Sequence, residues 1–237
     1  MDNYLFKFFE KEEYIDEFRQ GRIRLMSAYH YATLEQAAGL YNNRYDVTEG
    51  KTFIYNNTLA ERKTIKFGNG IEIELGNGIR NIVVNSGNPN QQIKLSCYYT
   101  IDKSDVPDGK FKTILGAMED SLGEYYIFFT DPAKFANKIE DCMNKLKKEN
   151  KVIDFSLNRV TYYDADNFNG FSNPFKKPDG LSWQREYRLA VNTVDMQDPF
   201  YIDIGNISEI TIWGKFEDLK QGYIVDNSNI FIPNYEL

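Results

Sequence analysis

Residues 183–191 read Trp183-Gln184-Arg185-Glu186-Tyr187-Arg188-Leu189-Ala190-Val191, and this stretch decides the fold that we predict for the chain. The side chains of a β-strand alternate between its two faces. As a strand, the stretch divides into Gln184, Glu186 and Arg188 on one face and Trp183, Arg185, Tyr187 and Leu189 on the other. Acidic residues are disfavoured in strands, so a glutamate here indicates either a function or a cross-strand pair, in which Glu186 meets Arg24 or Arg188 meets a carboxylate at the sheet edge. We treat this strand as a candidate edge of an active site.

The bulk composition is that of a folded protein. The chain has 237 residues, of which 42% are hydrophobic and 15% aromatic, and this is enough apolar material for a core. It carries 35 acidic and 28 basic residues, a net charge of −7. Broad non-specific binding of nucleic acid needs clustered lysine and arginine, so this composition argues against it, although a local basic groove remains open.

The sequence predicts a cytoplasmic protein. Its start shows no basic and apolar signal-peptide pattern, and no window approaches the ~18–20 apolar residues of a membrane span. Cys97 and Cys142 are far apart and form no CxxC motif, so we expect reduced thiols. His30 is the single histidine, so we expect no metal site and no Ser/His/Asp triad.

Periodicity along the chain predicts one α+β domain over residues 1–237, with a largely antiparallel, aromatic-rich sheet flanked by a few helices. Predicted elements include strands at 4–9, 22–26, 92–101 and 124–130, and helices at 11–20, at 111–122 and from Asp131-Pro132 to about Lys148. Asn-Gly pairs favour tight hairpin turns. The pairs at 69–70 and 77–78 therefore predict a three-stranded meander of Lys63–Phe67, Ile71–Leu75 and Ile79–Val84.

Three further groups are candidates for binding. Arg22 and Arg24 share one face of a predicted strand, where two guanidinium groups suit a diphosphate or form ordinary salt bridges. His30 and Tyr31 could stack on a base or simply belong to the structure. The loop Asp164–Gly180 leads into the opening stretch. It carries Phe168, Phe171 and Phe175, which either contact a partner or fold back onto the sheet.

Two resemblances rest on these residues. The early segments LFKFF and GRIRLMSAYHY, with the late W-x-R-E-Y-R, resemble an uncharacterised bacterial and phage domain family whose late motif is Trp-x-x-Glu-x-Glu-Tyr/Trp-Arg; Gln184 stands at the first Glu. The order strand, short helix, Gly, strand, followed late by Gln-x-Glu, also resembles ADP-ribosyltransferases of the toxin type.

The second resemblance implies an enzyme that uses NAD as its substrate. Glu186 would be the catalytic glutamate beside the nicotinamide ribose, Gln184 would orient the acceptor, and Arg24 or Arg22 would bind the diphosphate. The chain departs from that pattern in the middle, where Ser96 is the nearest match to a Ser-Thr-Ser strand. It also carries Lys7 where one branch of the family has His.

Two functions remain open from the sequence. One is transfer of ADP-ribose to a macromolecular target, expected for a phage or other mobile element. The other is a non-catalytic protein-binding module in phage–host conflict or bacterial defence. The composition and motifs predict a protein target and leave the oligomeric state open.

Overall fold

The structure is a computed structural model that describes residues 3–37, 51, 53–56, 63–66, 72–75, 81–84, 92–105, 123–220, 224–226 and 229–231. The described helices are α1 (Glu13–Arg19), α2 (Ala28–Ala37), α3 (Pro132–Lys148) and α4 (Phe216–Lys220). The described strands are β1 (Asn3–Phe9), β2 (Arg22–Ser27), β3 (Phe53–Asn56), β4 (Lys63–Lys66), β5 (Glu72–Leu75), β6 (Asn81–Val84), β7 (Ile93–Asp102), β8 (Tyr125–Phe129), β9 (Val152–Arg159), β10 (Thr161–Tyr163), β11 (Gly170–Phe171), β12 (Lys176–Pro178), β13 (Glu186–Thr193), β14 (Phe200–Asp203), β15 (Thr211–Lys215), β16 (Ile224–Asp226) and β17 (Asn229–Phe231). The α+β class with a large antiparallel sheet is confirmed.

The main sheet is built on β7, which three strands contact. Strand β13 runs along one edge of β7, from Glu186 opposite Tyr99 to Asn192 opposite Ile93. The other edge is shared: β1 pairs with the Tyr99–Asp102 end, and β2 pairs only with Leu95 and Lys94. The sheet therefore splits beside the middle of β7, where β1 and β2 diverge. Strands β8 and β15 extend it beyond β1, β14 extends it beyond β2, and β9 lies outside β13.

One face of this sheet carries the larger core. Helix α3 buries Phe135, Ile139 and Met143 against it, spaced four residues apart so that they form one helical stripe. Asp131 accepts a hydrogen bond from the Lys134 backbone N–H at 2.8 Å, and Pro132 occupies the first turn, so the predicted start of this helix is confirmed. Full burial of each such side chain stabilises the fold by about 1.5–3 kcal/mol.

The opposite face, which we call the Glu186 face, carries two smaller apolar clusters. One gathers Phe6, Tyr99, Tyr126 and Phe128 from the sheet with Phe216 and Leu219 from α4. The other gathers Ala28, Leu95 and Ala190, with Tyr31 and Phe175 packed against them. Between the two clusters lie polar side chains of β13 and the strip before it.

A glycine joins α1 to β2. Gly21 has φ +99°, and a Cβ added to it would lie 2.2 Å from the carbonyl oxygen of Gly205. Its own carbonyl accepts a hydrogen bond from the Ile204 N–H at 3.0 Å. The sharp turn that brings β1 and β2 to one edge of β7 therefore requires glycine at this position.

Two sequence predictions are corrected outside the main sheet. Strands β4 and β5 form an antiparallel pair, but β6 pairs with β3 rather than with β5, so the three-stranded meander is wrong. The register also places Lys66 opposite Glu72, whereas a two-residue Asn-Gly turn would place Lys66 opposite Ile73. The long-range pairing of β6 with β3 has no local sequence signal. The predicted helix at 111–122 lies outside the described residues.

Among the helices that the structure describes, we find none with both the length and the apolar character needed to cross a bilayer.

Candidate functional site

The backbone at Gln-x-Glu differs from the predicted strand. Residues Asp179–Gln184 form a 3-10 helix, and β13 begins only at Glu186. Between them Arg185 adopts a left-handed conformation, with φ 41° and ψ 45°. Trp183 to Arg185 are therefore not strand residues, and the alternation predicted for them is wrong.

Several contacts hold Arg185 in this unfavourable conformation. Its carbonyl accepts hydrogen bonds from the N–H and the hydroxyl of Thr100, both at 2.9 Å. Its guanidinium binds the Asp105 carboxylate at 2.5 Å. A left-handed residue other than glycine costs roughly 1–3 kcal/mol and persists only where its surroundings fix it. Because Arg185 is left-handed, the backbone turns between Gln184 and Glu186. Their side chains therefore reach the same point, although the two residues do not lie in one strand.

The point where they meet is the ammonium group of Lys177. Its Nζ donates to Gln184 Oε1 at 2.6 Å and to Glu186 Oε1 at 2.6 Å. Lys177 comes from β12, which pairs in parallel with β10 and belongs to the predicted loop before the opening stretch. That loop is therefore tied directly to the Gln-x-Glu motif.

Arg188 completes a buried charged cluster, which we call the Glu186 cluster: Lys177, Gln184, Glu186 and Arg188. The Arg188 Nε donates to Glu186 Oε2 at 2.5 Å, and its Nη1 donates to the Pro174 carbonyl at 2.6 Å. Glu186 is 9% exposed and Arg188 2%. Two cations thus surround one carboxylate with little access of water to any of them.

This environment keeps Glu186 ionised. Burial alone would raise its pKa, but the Arg188 guanidinium and the Lys177 ammonium outweigh burial and lower the pKa from 4.5 to about 2. The Glu186 backbone N–H also donates to the Tyr162 hydroxyl at 2.9 Å, and burial raises the pKa of that hydroxyl. At neutral pH Glu186 is a carboxylate that can accept hydrogen bonds but cannot donate one.

Lys7 closes the split beside β7. Its Nζ donates to the Cys97 carbonyl at 2.8 Å and to the Ser96 hydroxyl at 3.1 Å. The Cys97 carbonyl lies where β1 and β2 have both left β7, so a side chain replaces the missing strand partner. Burial lowers the pKa of Lys7. We therefore assign this lysine a structural contact across the split.

Between its two ends, β7 is accessible to solvent at one residue. From Lys94 to Ile101 every residue of β7 is buried except Cys97, which is partly exposed. Cys97 lies opposite Arg188, so it shares the Glu186 face. Burial, with Glu186 nearby, raises the pKa of its thiol to about 11. We infer that Cys97 lies at the floor of a depression, because its thiol is desolvated although the residue keeps some exposure.

Arg24 lies across this depression from the Glu186 cluster. Met26 pairs with Leu95, and Leu95 shares a face with Cys97 and Tyr99, so Arg24 belongs to the Glu186 face as well. Strand spacing puts Arg24 on the order of 10 Å or more from Arg188. Arg24 is exposed, and none of the described residues forms an ion pair or hydrogen bond with it.

The other predicted binding residues are placed differently. Arg22 forms a 3.4 Å ion pair with Glu17 and stacks its guanidinium 4.2 Å from the ring centre of Tyr201, which agrees with the salt-bridge alternative. Tyr31 packs against the Ala190 and Leu95 cluster, and His30 meets the Tyr31 ring edge-on at 5.9 Å.

The phenylalanines of the loop behave in two ways. Phe168 stacks on Tyr163 with ring centres 4.1 Å apart, and Phe175 packs against the sheet. Phe171 is 69% exposed and touches the ring of Phe53 edge-on at 5.4 Å. Two of the three rings thus fold back, and one remains available to a partner.

The sequence did not identify Lys177 as the partner of Gln184 and Glu186, nor Cys97 as the exposed point of β7. Of the two cross-strand pairs considered, Glu186 with Arg24 is wrong, because Lys177 and Arg188 hold the carboxylate; Arg188 does meet a carboxylate, that of Glu186 in its own strand. A lysine nine residues before a glutamate carries no periodic signal, so only the fold of the intervening 3-10 helix could reveal this contact.

Comparisons with known proteins found no match: no family model, no curated protein and no solved structure is similar to this chain.

Proposed function

We propose that this protein is an NAD-using enzyme that transfers ADP-ribose to a macromolecular target. The observation that supports this best is the partly exposed Cys97 on the Glu186 face. A carboxylate that is ionised at neutral pH lies on one side of it, and an exposed arginine without a described partner lies on the other. A dinucleotide needs such a pair of groups: a cation for its diphosphate and an anion where positive charge develops on its ribose.

Glu186 has capacity for a ligand in addition to its two cations. An ionised carboxylate offers about four lone-pair sites, and the side chains of Lys177 and Arg188 occupy two of them. A ribose hydroxyl would donate to a remaining site. The carboxylate charge would then stabilise the oxocarbenium-like state that forms as the bond to nicotinamide breaks.

The cations around the depression suit an anionic ligand. In the Glu186 cluster, Lys177 and Arg188 place two cations beside the carboxylate of Glu186. Arg24 adds a further cation on the same face, exposed and without an ion-pair partner among the described residues. A diphosphate between Arg24 and the cluster would be attracted to both sides, although the whole chain has a net charge of −7.

The test uses Arg24, because this side chain is exposed and its loss should leave the fold intact. We expect NAD to raise the melting temperature of the wild-type protein and to be hydrolysed slowly to ADP-ribose and nicotinamide. Arg24→Ala should lose the NAD-induced rise while keeping the melting temperature of the free protein. Lys215→Ala, an exposed cation on β15, is the matched control. A wild-type protein that neither binds nor hydrolyses NAD would refute the proposal.

A second function, a non-catalytic protein-binding module, is favoured by one observation: the exposed ring of Phe171 on β11. Here Phe171→Ser should abolish capture of a defined host protein without changing the melting temperature. Ile153→Ser, which removes another exposed apolar side chain on β9, is the control. Phe175 is unsuitable for this test because it packs against the sheet. Unchanged capture by Phe171→Ser would exclude this surface.

A further inference from the structure

The position of Lys177 supports a further inference, which rests on the proposed transfer of ADP-ribose. In that reaction Gln184 orients the acceptor, and Glu186 lies beside the carbon that is attacked. The Lys177 Nζ lies 2.6 Å from an oxygen of each residue and donates to both. A side chain of the protein itself thus occupies the place where an acceptor would be held.

We propose that Lys177 blocks the acceptor position from within the chain, and that the acceptor this site takes is a nitrogen group bearing at least two hydrogens. Gln184 Oε1 and Glu186 Oε1 both accept from a single nitrogen. A hydroxyl or a thiol has one hydrogen to donate and cannot satisfy both oxygens. Amine, amide and guanidinium groups can.

Lys177 is a blocking group rather than an acceptor. Its Nζ is held between Gln184 Oε1 and Glu186 Oε1; the acceptor that replaces it attacks through a nitrogen lone pair, so an external amine reacts in its neutral form. In the transfer step the acceptor nitrogen forms a bond to C1′ of the ribose as the bond from C1′ to nicotinamide breaks. Nicotinamide leaves with that electron pair as a neutral molecule, and the surplus proton of the nitrogen passes to water.

The segment around Lys177 explains how the block is maintained and how it would be released. Strand β12 pairs with β10, and the Pro174 carbonyl accepts from Arg188. Lys177 is therefore attached through its neighbours as well as through its ammonium group. A target that displaces β12, itself an extended segment, would withdraw Lys177 and present its own nitrogen to the same two oxygens.

The test compares Lys177→Met with Lys176→Met. The methionine side chain fills similar space without a charge, and Glu186 keeps its contact with Arg188, so the fold should tolerate it. The neighbouring Lys176 donates to the Phe171 carbonyl and lies over the Phe168 ring, outside the Glu186 cluster, and is the matched control. Lys177→Arg keeps donors at the position and should remain blocked.

Each variant is incubated with NAD and one of three small acceptors, butylguanidine, butylamine or butanol, and the ADP-ribosyl adducts are quantified by mass spectrometry. We expect Lys177→Met to form the butylguanidine adduct at least tenfold faster than the wild type, Lys176→Met to match the wild type, and butanol to form none. If Lys177→Met melts early, Lys177→Leu, which also has no donor, replaces it.

Two failures are distinguishable in the same assay. If the variants hydrolyse NAD but Lys177→Met gains no transfer, or if butanol reacts as well as butylguanidine, the blocking role is wrong and the proposed enzyme stands. If no variant binds or hydrolyses NAD, the proposed function is wrong and the inference is refuted with it.

Discussion

At the scale of a single residue, Glu186 determines most of the properties of the site. A buried carboxylate is stable only where opposite charges and hydrogen bonds compensate for lost hydration. Here Lys177 and Arg188 supply both. The sequence showed that a glutamate in this strand needed a partner, because the residue type is disfavoured there. It could not show which partner, because Lys177 reaches it through a 3-10 helix and a left-handed Arg185.

Glu186→Gln should destabilise the protein strongly. The change leaves Lys177 and Arg188 buried without their carboxylate, and breaking a buried pair in this way costs about 3–5 kcal/mol. Urea denaturation at pH 7 would measure the loss in the free energy of unfolding. Glu209→Gln is the control: this glutamate pairs with Lys134 on the surface and should change stability little. Equal effects of the two substitutions would contradict a buried, compensated Glu186.

The stability that Glu186 provides should depend on acid pH. Its pKa in the folded protein, about 2, is lower than its ordinary value of 4.5, so the stabilisation is complete above pH 4.5 and is lost as pH falls towards 2. The shift corresponds to about 3 kcal/mol. The difference in unfolding free energy between wild type and Glu186→Gln should be constant from pH 7 to 5 and shrink below that. A difference independent of pH down to 3 would contradict the lowered pKa.

At the scale of elements, the sequence predicted those features that depend on residues close together in the chain. The helical stripe of Phe135, Ile139 and Met143, the Asp131 cap and the strand–helix–Gly–strand start are all visible in the sequence and present in the structure. The pairing of β6 with β3 was not visible, because strand partners distant in sequence leave no periodic signal. For the same reason the sequence could not reveal that β1 and β2 share one edge of β7.

The turn at Gly21 offers a test at this scale. Gly21→Ala adds a methyl group 2.2 Å from the Gly205 carbonyl oxygen and forces alanine to φ +99°. The backbone strain alone costs about 1–2 kcal/mol, and the clash adds to it. Gly180→Ala, where no atom lies within 4 Å of the new methyl group, should stay within about 0.5 kcal/mol of wild type. Equal melting temperatures for the two variants would show that the α1–β2 turn can relax.

At the scale of the whole molecule, the split sheet creates the site. Because β1 and β2 leave the same edge of β7, Lys7 fills the gap on one side, and Cys97 remains partly exposed on the Glu186 face. The ionised carboxylate and Arg24 lie on either side of that point. The sequence supplied Glu186 and Arg24 as candidates, but their shared face follows only from the register of β2 and β13 on β7.

The most direct test is calorimetric titration of NAD into wild type, Cys97→Ser and Cys97→Phe. Serine keeps the depression open, whereas a phenyl ring fills it and separates Arg24 from the Glu186 cluster. Variants are compared only if they keep the wild-type melting temperature, and Arg24→Ala serves if Cys97→Phe does not. We expect wild type and Cys97→Ser to bind NAD alike and Cys97→Phe to bind at least tenfold more weakly. No binding by wild type, or equal binding by all three, would contradict a dinucleotide site at this depression.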